Sequence, residues 1–362
     1  MRKFYNYINE LNFSFWARIV QNTHTDVNSL CVFRILAGLF LLFFYCPTFG
    51  WIGVVPQSFF DPPLLSPASL FNGFLNKEIY IIIDIVLLLC TICIILGIKA
   101  KFSTLLFCIL SVFAASFQYS FGKIDHFILI YASLFILSFS GWGSNLALLP
   151  DKGEKNDAVS KATSVIAVII CFAFFTAGQA KATHWINFNF DETGTGAWYY
   201  HGYYELGNHY LIAPYLRHQP FWFFKIMDFS AVVFELSAML FLFYSYKSWR
   251  LYLLIAIVFH LIILLTLNIS FISECAVYLV FVDYSALHPR IIKCLKLTIA
   301  KAIVFIVLIT AVCIRVFYVF HLIHYTTLFV SDTGILQSLI VGIFVFIVTG
   351  IVLFQSLYTK TR

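Results

Sequence analysis

Near-continuous apolar runs of about 20 residues recur along this chain, and that is the length that crosses the hydrocarbon core of a bilayer as a helix. Ten such segments can be drawn, at roughly 30–46, 79–98, 103–120, 125–146, 162–180, 221–245, 250–270, 272–286, 298–320 and 335–357. An open sheet edge finds no hydrogen-bond partners in lipid, so the segments are expected to be helical. The expected fold is therefore an all-α polytopic integral membrane protein, with about ten transmembrane helices in one bundle. The eighth segment is short enough to be tilted or re-entrant.

Composition agrees. Of 362 residues, 61% are hydrophobic and 11% charged, with a mean hydropathy of +0.91, whereas a soluble chain is nearer half apolar and a quarter charged. The net charge of +6 does not point to nucleic acid, because no basic cluster sits on a soluble domain. The lipid bilayer is the expected partner. Nine cysteines lie mostly in apolar runs, so a disulfide framework is not expected. Cys90 and Cys93 have a redox spacing, but in an apolar helix they read as small core residues. No cleavable signal peptide is visible, since the first apolar run comes late and is long.

Charge gives an orientation. With a cytoplasmic N-terminus, one side carries Arg2, Lys3, Arg18, Lys99, Lys101, Lys152, Lys155, Lys161, Lys247, Arg250, Arg290, Lys293, Lys296, Lys360 and Arg362. The other side carries Lys77, Lys123, Lys181, Arg217 and Lys225. Cytoplasmic loops hold the excess of Lys and Arg, so both termini are expected inside a multi-pass cell-membrane protein. Arg34 and Lys301, near helix ends, are expected to snorkel to the inner surface. Three parts follow: a cytoplasmic N-terminal segment (1–28), a main transmembrane domain (29–286), and a C-terminal transmembrane hairpin with a short cytoplasmic tail (287–362). Two long outer segments, Pro47–Glu78 and Lys181–Pro220, are rich in aromatics and are expected to fold onto the outer surface.

Lys181 is the leading candidate for chemistry. It ends the apolar run Ala162–Ala180 and opens the longest polar segment, which holds His184, His201, His209 and His218. A lysine packed against protein rather than water becomes a usable base or nucleophile; a snorkelling anchor needs no chemistry. His126, just after the natural N-cap Asp125, can exchange protons at the outer surface or simply bond to nearby backbone. Lys225, Asp228 and Glu235 fall on one helical stripe, with Lys225 and Asp228 placed to pair. Glu235 lies deep in its span and must be protonated or paired. His260 is its expected partner, as structural glue or a proton relay, and Asn268 shares the broad face of His260. Asp84 and Arg315 are further intramembrane charges that nothing local links. The histidine spacings match no zinc signature, and no metal is expected.

The stretches Phe33–Gly38, Gly122–His126, Ala177–Lys181, Phe234–Ala238 and Phe259–His260 resemble the HTTM (horizontally transferred transmembrane) domain family, which includes vitamin K-dependent gamma-carboxylase. The similarity covers roughly residues 25 to 285. It implies that Lys181 is the base that deprotonates a reduced lipid quinone (a vitamin K-like hydroquinone), and that His126 assists a carboxylation step. Oxygen and carbon dioxide would be co-substrates, and Glu235, His260, Asn268, Asp228 and Asp125 would support the site. The implied enzyme class is a quinol epoxidase coupled to a carbon–carbon lyase. Carboxylases of this family carry a large extramembrane portion that holds the substrate's propeptide; this sequence has no equivalent, so peptide carboxylation is not expected. Other members sit in peptide-toxin systems. A non-enzymatic partner in maturation or immunity to a secreted peptide is therefore a second reading, and a secondary transporter a third, although inverted repeats are not evident.

Overall fold

The computed structural model describes residues 2–45, 47–122, 127–152, 156–189, 191–320, 322–324, 327, 329–330 and 335–358. The helices, in chain order, are α1 (Arg2–Thr23), α2 (Val27–Phe43), α3 (Lys77–Leu96), α4 (Ala100–Gln118), α5 (Ile128–Leu137), α6 (Asn156–Trp185), α7 (Gly194–Tyr200), α8 (Ala213–Leu216), α9 (Phe221–Tyr244), α10 (Tyr246–Leu267), α11 (Ile272–Tyr278), α12 (His288–Leu295), α13 (Thr298–Val319) and α14 (Ile335–Tyr358). Among the described residues there is no strand beyond one isolated bridge, Ile98 with Leu149. The protein is an all-α polytopic membrane protein. Among the described residues seven helices are long and apolar enough to span, or eight when the consecutive helices Tyr7–Thr23 and Val27–Phe43 count together.

Two expected segments are shorter than drawn. The apolar stretch 125–146 yields a described helix of ten residues, Ile128–Leu137. Hydropathy counts Phe139 and Trp142, but the backbone passes into turns from Ser138, and Gly141 adopts φ 77°. A left-handed residue does not continue a helix, whatever the hydrophobicity around it. The stretch 272–286 yields Ile272–Phe281, again ten residues once a closing 3₁₀ turn is added. Ten helical residues rise about 15 Å, half of a hydrocarbon core.

The chain divides into two compact units, neither continuous in sequence. One comprises Thr25–Ala162 and Val282–Val341. In it α2, α3 and α13 pack through Leu42, Leu88, Ile95 and Ala311. Gly38 permits this approach, since a Cβ there would lie 2.5 Å from Ile95 Cγ1. Arg34 is fully buried rather than snorkelling. Its guanidinium donates to Ile94 O (3.1 Å) near the C-terminus of α3, and to Leu146 O (2.6 Å). The carbonyls at a helix C-terminus lack intrahelical partners and carry the negative end of the dipole, so a buried cation is satisfied there. Lys301, by contrast, is exposed. Asp84 and Arg315 converge on one segment: Asp84 accepts from Phe49 N (2.8 Å) and Gly50 N (3.0 Å), and Arg315 donates to Pro47 O. The proline-rich segment between α2 and α3 folds on itself and onto α4, through Gln57 with Phe74 and Ala68 N with Ser116 Oγ.

The other unit comprises Met1–His24, Thr163–Phe281 and Gly342–Arg362. Here α9 starts after Pro220 and stops at Ser245, whose hydroxyl then caps α10 through Ser248 N. Arg18 and Asn22 of α1 donate to the last carbonyls of α9, Leu242 O, Phe243 O and Tyr244 O. α1 is thus a packed element of this unit.

The Arg34 cluster generates a stability prediction. Arg34→Ala strands buried carbonyls at about 1–3 kcal/mol each, and Arg34→Lys recovers only part, because one ammonium cannot reproduce the guanidinium fork. Thermal unfolding in detergent should rank wild type above Arg34→Lys above Arg34→Ala.

Candidate functional site

The stripe predicted on α9 is real. Phe224, Lys225, Asp228, Ala231, Val232, Glu235, Ala238 and Leu242 form its buried face, at the three- and four-residue spacing of one side of a helix. The three charges on that face do different work.

Lys225 and Asp228 do not pair with each other. Lys225 Nζ donates to Trp185 O (3.0 Å), Asn187 Oδ1 (2.6 Å) and Glu192 O (2.8 Å), using all three of its hydrogens. Asp228 accepts from Gly194 N (2.9 Å) and Thr195 N (2.7 Å), the first amides of α7, where a carboxylate is favoured. The ladder of backbone groups in the outer segment outcompetes an ion pair because those groups, once buried, have no other partners. Gly194 must be glycine, since a Cβ would lie 2.2 Å from the Trp185 ring. Asn268 closes the same segment from α10. In a left-handed conformation (φ 58°), it exchanges two hydrogen bonds with the Tyr210 backbone at 3.0 and 3.1 Å. Asp228 and Asn268 therefore hold architecture together rather than a ligand.

Glu235 has Lys181 as its partner, not His260. Lys181 Nζ donates to Glu235 Oε1. The approach depends on Gly178, one turn earlier on α6, where a Cβ would stand 3.0 Å from Glu235 Cβ and 3.1 Å from the Leu236 side chain. A small residue lets two helices come close enough for the lysine to reach across. The Glu235 side chain is 4% exposed and that of Lys181 is 25%, so the amine keeps an open flank. The Trp185 ring lies 5.5 Å from Nζ. Ammonium with carboxylate, or amine with carboxyl, is net neutral, which is how two ionisable groups can persist inside an apolar bundle. Gly178 was the available sequence signal for this pair. The periodicity of α10 pointed instead to His260.

His260 is packed among aromatics. Its ring lies nearly parallel to those of Phe271 (4.8 Å), Phe174 (5.9 Å) and Tyr278 (6.2 Å), and Cys275 Sγ is 4.0 Å from Nδ1. Sequence reasoning passed over Glu274, a third buried acid in this unit after Asp228 and Glu235, which accepts from Ser273 Oγ. Asp125 and His126 lie outside the described residues.

The four histidines of the outer segment do not converge. His201 meets Glu205, His209 bonds to Tyr203 O, and His218 accepts from Arg217, while His184 lines a half-open hollow with Asn187, Asp191, Glu192 and Tyr200. Among the described residues no group of His, Cys, Asp or Glu is arranged to hold a metal ion. The segment has its own core in Tyr199, Ala213, Leu216 and Phe224. Burial, then neighbouring tyrosines, push the Tyr199 phenol up to about 12, and it donates to Ala213 O (2.7 Å).

Two outcomes are expected. Lys181→Met should destabilise by about 3–5 kcal/mol, because it leaves the buried Glu235 carboxylate unpaired, and Glu235→Leu by less, because Lys181 keeps an exposed flank; the double variant should recover most of the Lys181→Met loss in thermal unfolding. Tyr199 is neutral when bonded, so its contribution is complete below the unfolded phenol pKa of about 10 and lost as pH rises through the folded value. Hydrogen exchange in 194–216 should therefore accelerate above about pH 10, with no such step in Tyr199→Phe. The chain matches no family model, no curated protein and no solved structure, so its chemistry is read from its own side chains.

Proposed function

We propose that this is an HTTM-type membrane enzyme, similar to vitamin K-dependent gamma-carboxylase, with Lys181 as the base of an apolar site open to the outer side. The observation that carries the reading is the Lys181–Glu235 pair, an amine with one open flank held by a carboxylate that is itself buried. A proton acceptor needs a fixed position and a defined partner; Glu235 provides both. When Lys181, as the neutral amine, takes a proton from a ligand at Nζ, the ammonium that forms lies beside the anion it has created and stabilises that anion in a low-dielectric site. His126 is the second acid/base by resemblance. The charge bias along the sequence puts both residues outside and both termini in the cytoplasm.

The donor set fits a reduced lipid quinone. Lys181 and Glu235 would hold a ring hydroxyl, and Trp185 would face the ring. Such a quinol, when bound, supplies with oxygen the base strength that addition of carbon dioxide to a C–H bond requires. An apolar cofactor reaches a bundle of this kind sideways from lipid.

Purified protein incubated with reduced lipid quinone and oxygen should yield quinone epoxide, detected by mass spectrometry. Lys181→Ala should lower the rate by about 10²-fold or more, the size of a general-base contribution. Absence of turnover by wild type, or full turnover by Lys181→Ala, would return the chain to the reading of a non-enzymatic partner for a secreted peptide.

A further inference from the structure

The carboxylate of Glu235 is only half used. Oε1 accepts from Lys181, whereas Oε2 is buried and has no hydrogen-bond partner among the described residues. The residue is 3% exposed, so bulk water does not supply one. Tyr252 on α10 sends its hydroxyl to Phe234 O (3.4 Å). A carboxylate oxygen buried without a donor is costly and calls for an explanation. Beside it lies an ammonium whose side chain is a quarter exposed. An unfilled acceptor and an accessible donor thus sit next to each other on one pair.

One kind of group satisfies both at once. A hydroxyl can donate its hydrogen to Glu235 Oε2 while its oxygen accepts from Lys181 Nζ. A carbonyl or an ether oxygen can accept from the amine but offers Oε2 nothing, and leaves the buried acceptor empty. Sites that hydrogen-bond a hydroxyl discriminate strongly against analogues lacking it, for this reason. We infer that Glu235 is the specificity-determining residue of the Lys181 site, and that the site takes an apolar molecule bearing a free hydroxyl in preference to the corresponding ketone or ether. The inference rests on the reading of Lys181 as a ligand-facing base, but concerns recognition rather than turnover.

Binding separates the two. The full chain in detergent is titrated calorimetrically with 2-dodecyl-1-naphthol, its methyl ether, and 2-dodecyl-1,4-naphthoquinone. A second pair, farnesol and its methyl ether, distinguishes an aliphatic from an aromatic alcohol. The hydroxyl compound should bind at least about tenfold more tightly than its ether in one pair or both. Glu235→Gln keeps the shape but puts a donor where Oε2 was, and should bring that ratio close to one. The wild-type ratio needs no variant to fold; thermal unfolding reports whether Glu235→Gln does. Equal binding of alcohol and ether in both pairs, no binding of either, tighter binding of the quinone, or a full ratio in folded Glu235→Gln would each overturn the inference. Epoxide formation is measured separately, so hydroxyl selectivity without turnover would sink the catalytic reading and leave this one standing.

Discussion

Taking an ionised group out of water costs several kcal/mol even after relaxation, and the internal architecture of each unit follows from how its buried charges recover that cost. Arg34 recovers it from Ile94 O near the end of α3 and from Leu146 O in a loop, and Asp84 from the amides of Phe49 and Gly50. Lys225 and Asp228 recover it from the backbone between α6 and α9. In each case the charge meets main chain at a helix end or in a loop, so the same bonds that make the charge tolerable also fix an irregular segment. Lys181 and Glu235 satisfy each other through side chains instead, and leave one carboxylate oxygen and one flank of the amine unspent among the described residues.

That difference separates architecture from a candidate site. A group whose hydrogen bonds are all taken by its own fold has nothing to offer a ligand. Lys225, with three acceptors for three hydrogens, is such a group, although on sequence it looks as chemical as Lys181. Asn268 is another, its amide matched to the Tyr210 backbone. Reactivity and recognition belong to the groups whose bonding is incomplete, provided they are held in place. Gly178 does the holding here by letting α6 lie against α9.

Much of the fold was legible in the chain. The spanning helices follow from apolar length alone, and the buried face of α9 from the offsets of Lys225, Asp228 and Glu235. Hydropathy failed where backbone conformation overrode it: α5 ends at Leu137 inside an apolar stretch that holds a left-handed Gly141. Pairing was less legible. The periodicity of α9 and α10 predicted Glu235 with His260, but His260 lies among Phe174, Phe271 and Tyr278. Periodicity reports which face a residue occupies, and carries no information on which neighbour that face meets.

The amino-acid sequence by itself determined that the chain is a helical membrane protein and that Lys181 and Glu235 are residues to account for. Both conclusions rest on solvation: apolar length and misplaced charge are properties of single segments in a given solvent. Only the tertiary structure decided that these two meet, that Arg34 is buried, and that Glu235 keeps a buried oxygen unfilled. Partner choice is set by the distance between helices and the competition among all nearby donors and acceptors, and neither exists until the helices have packed.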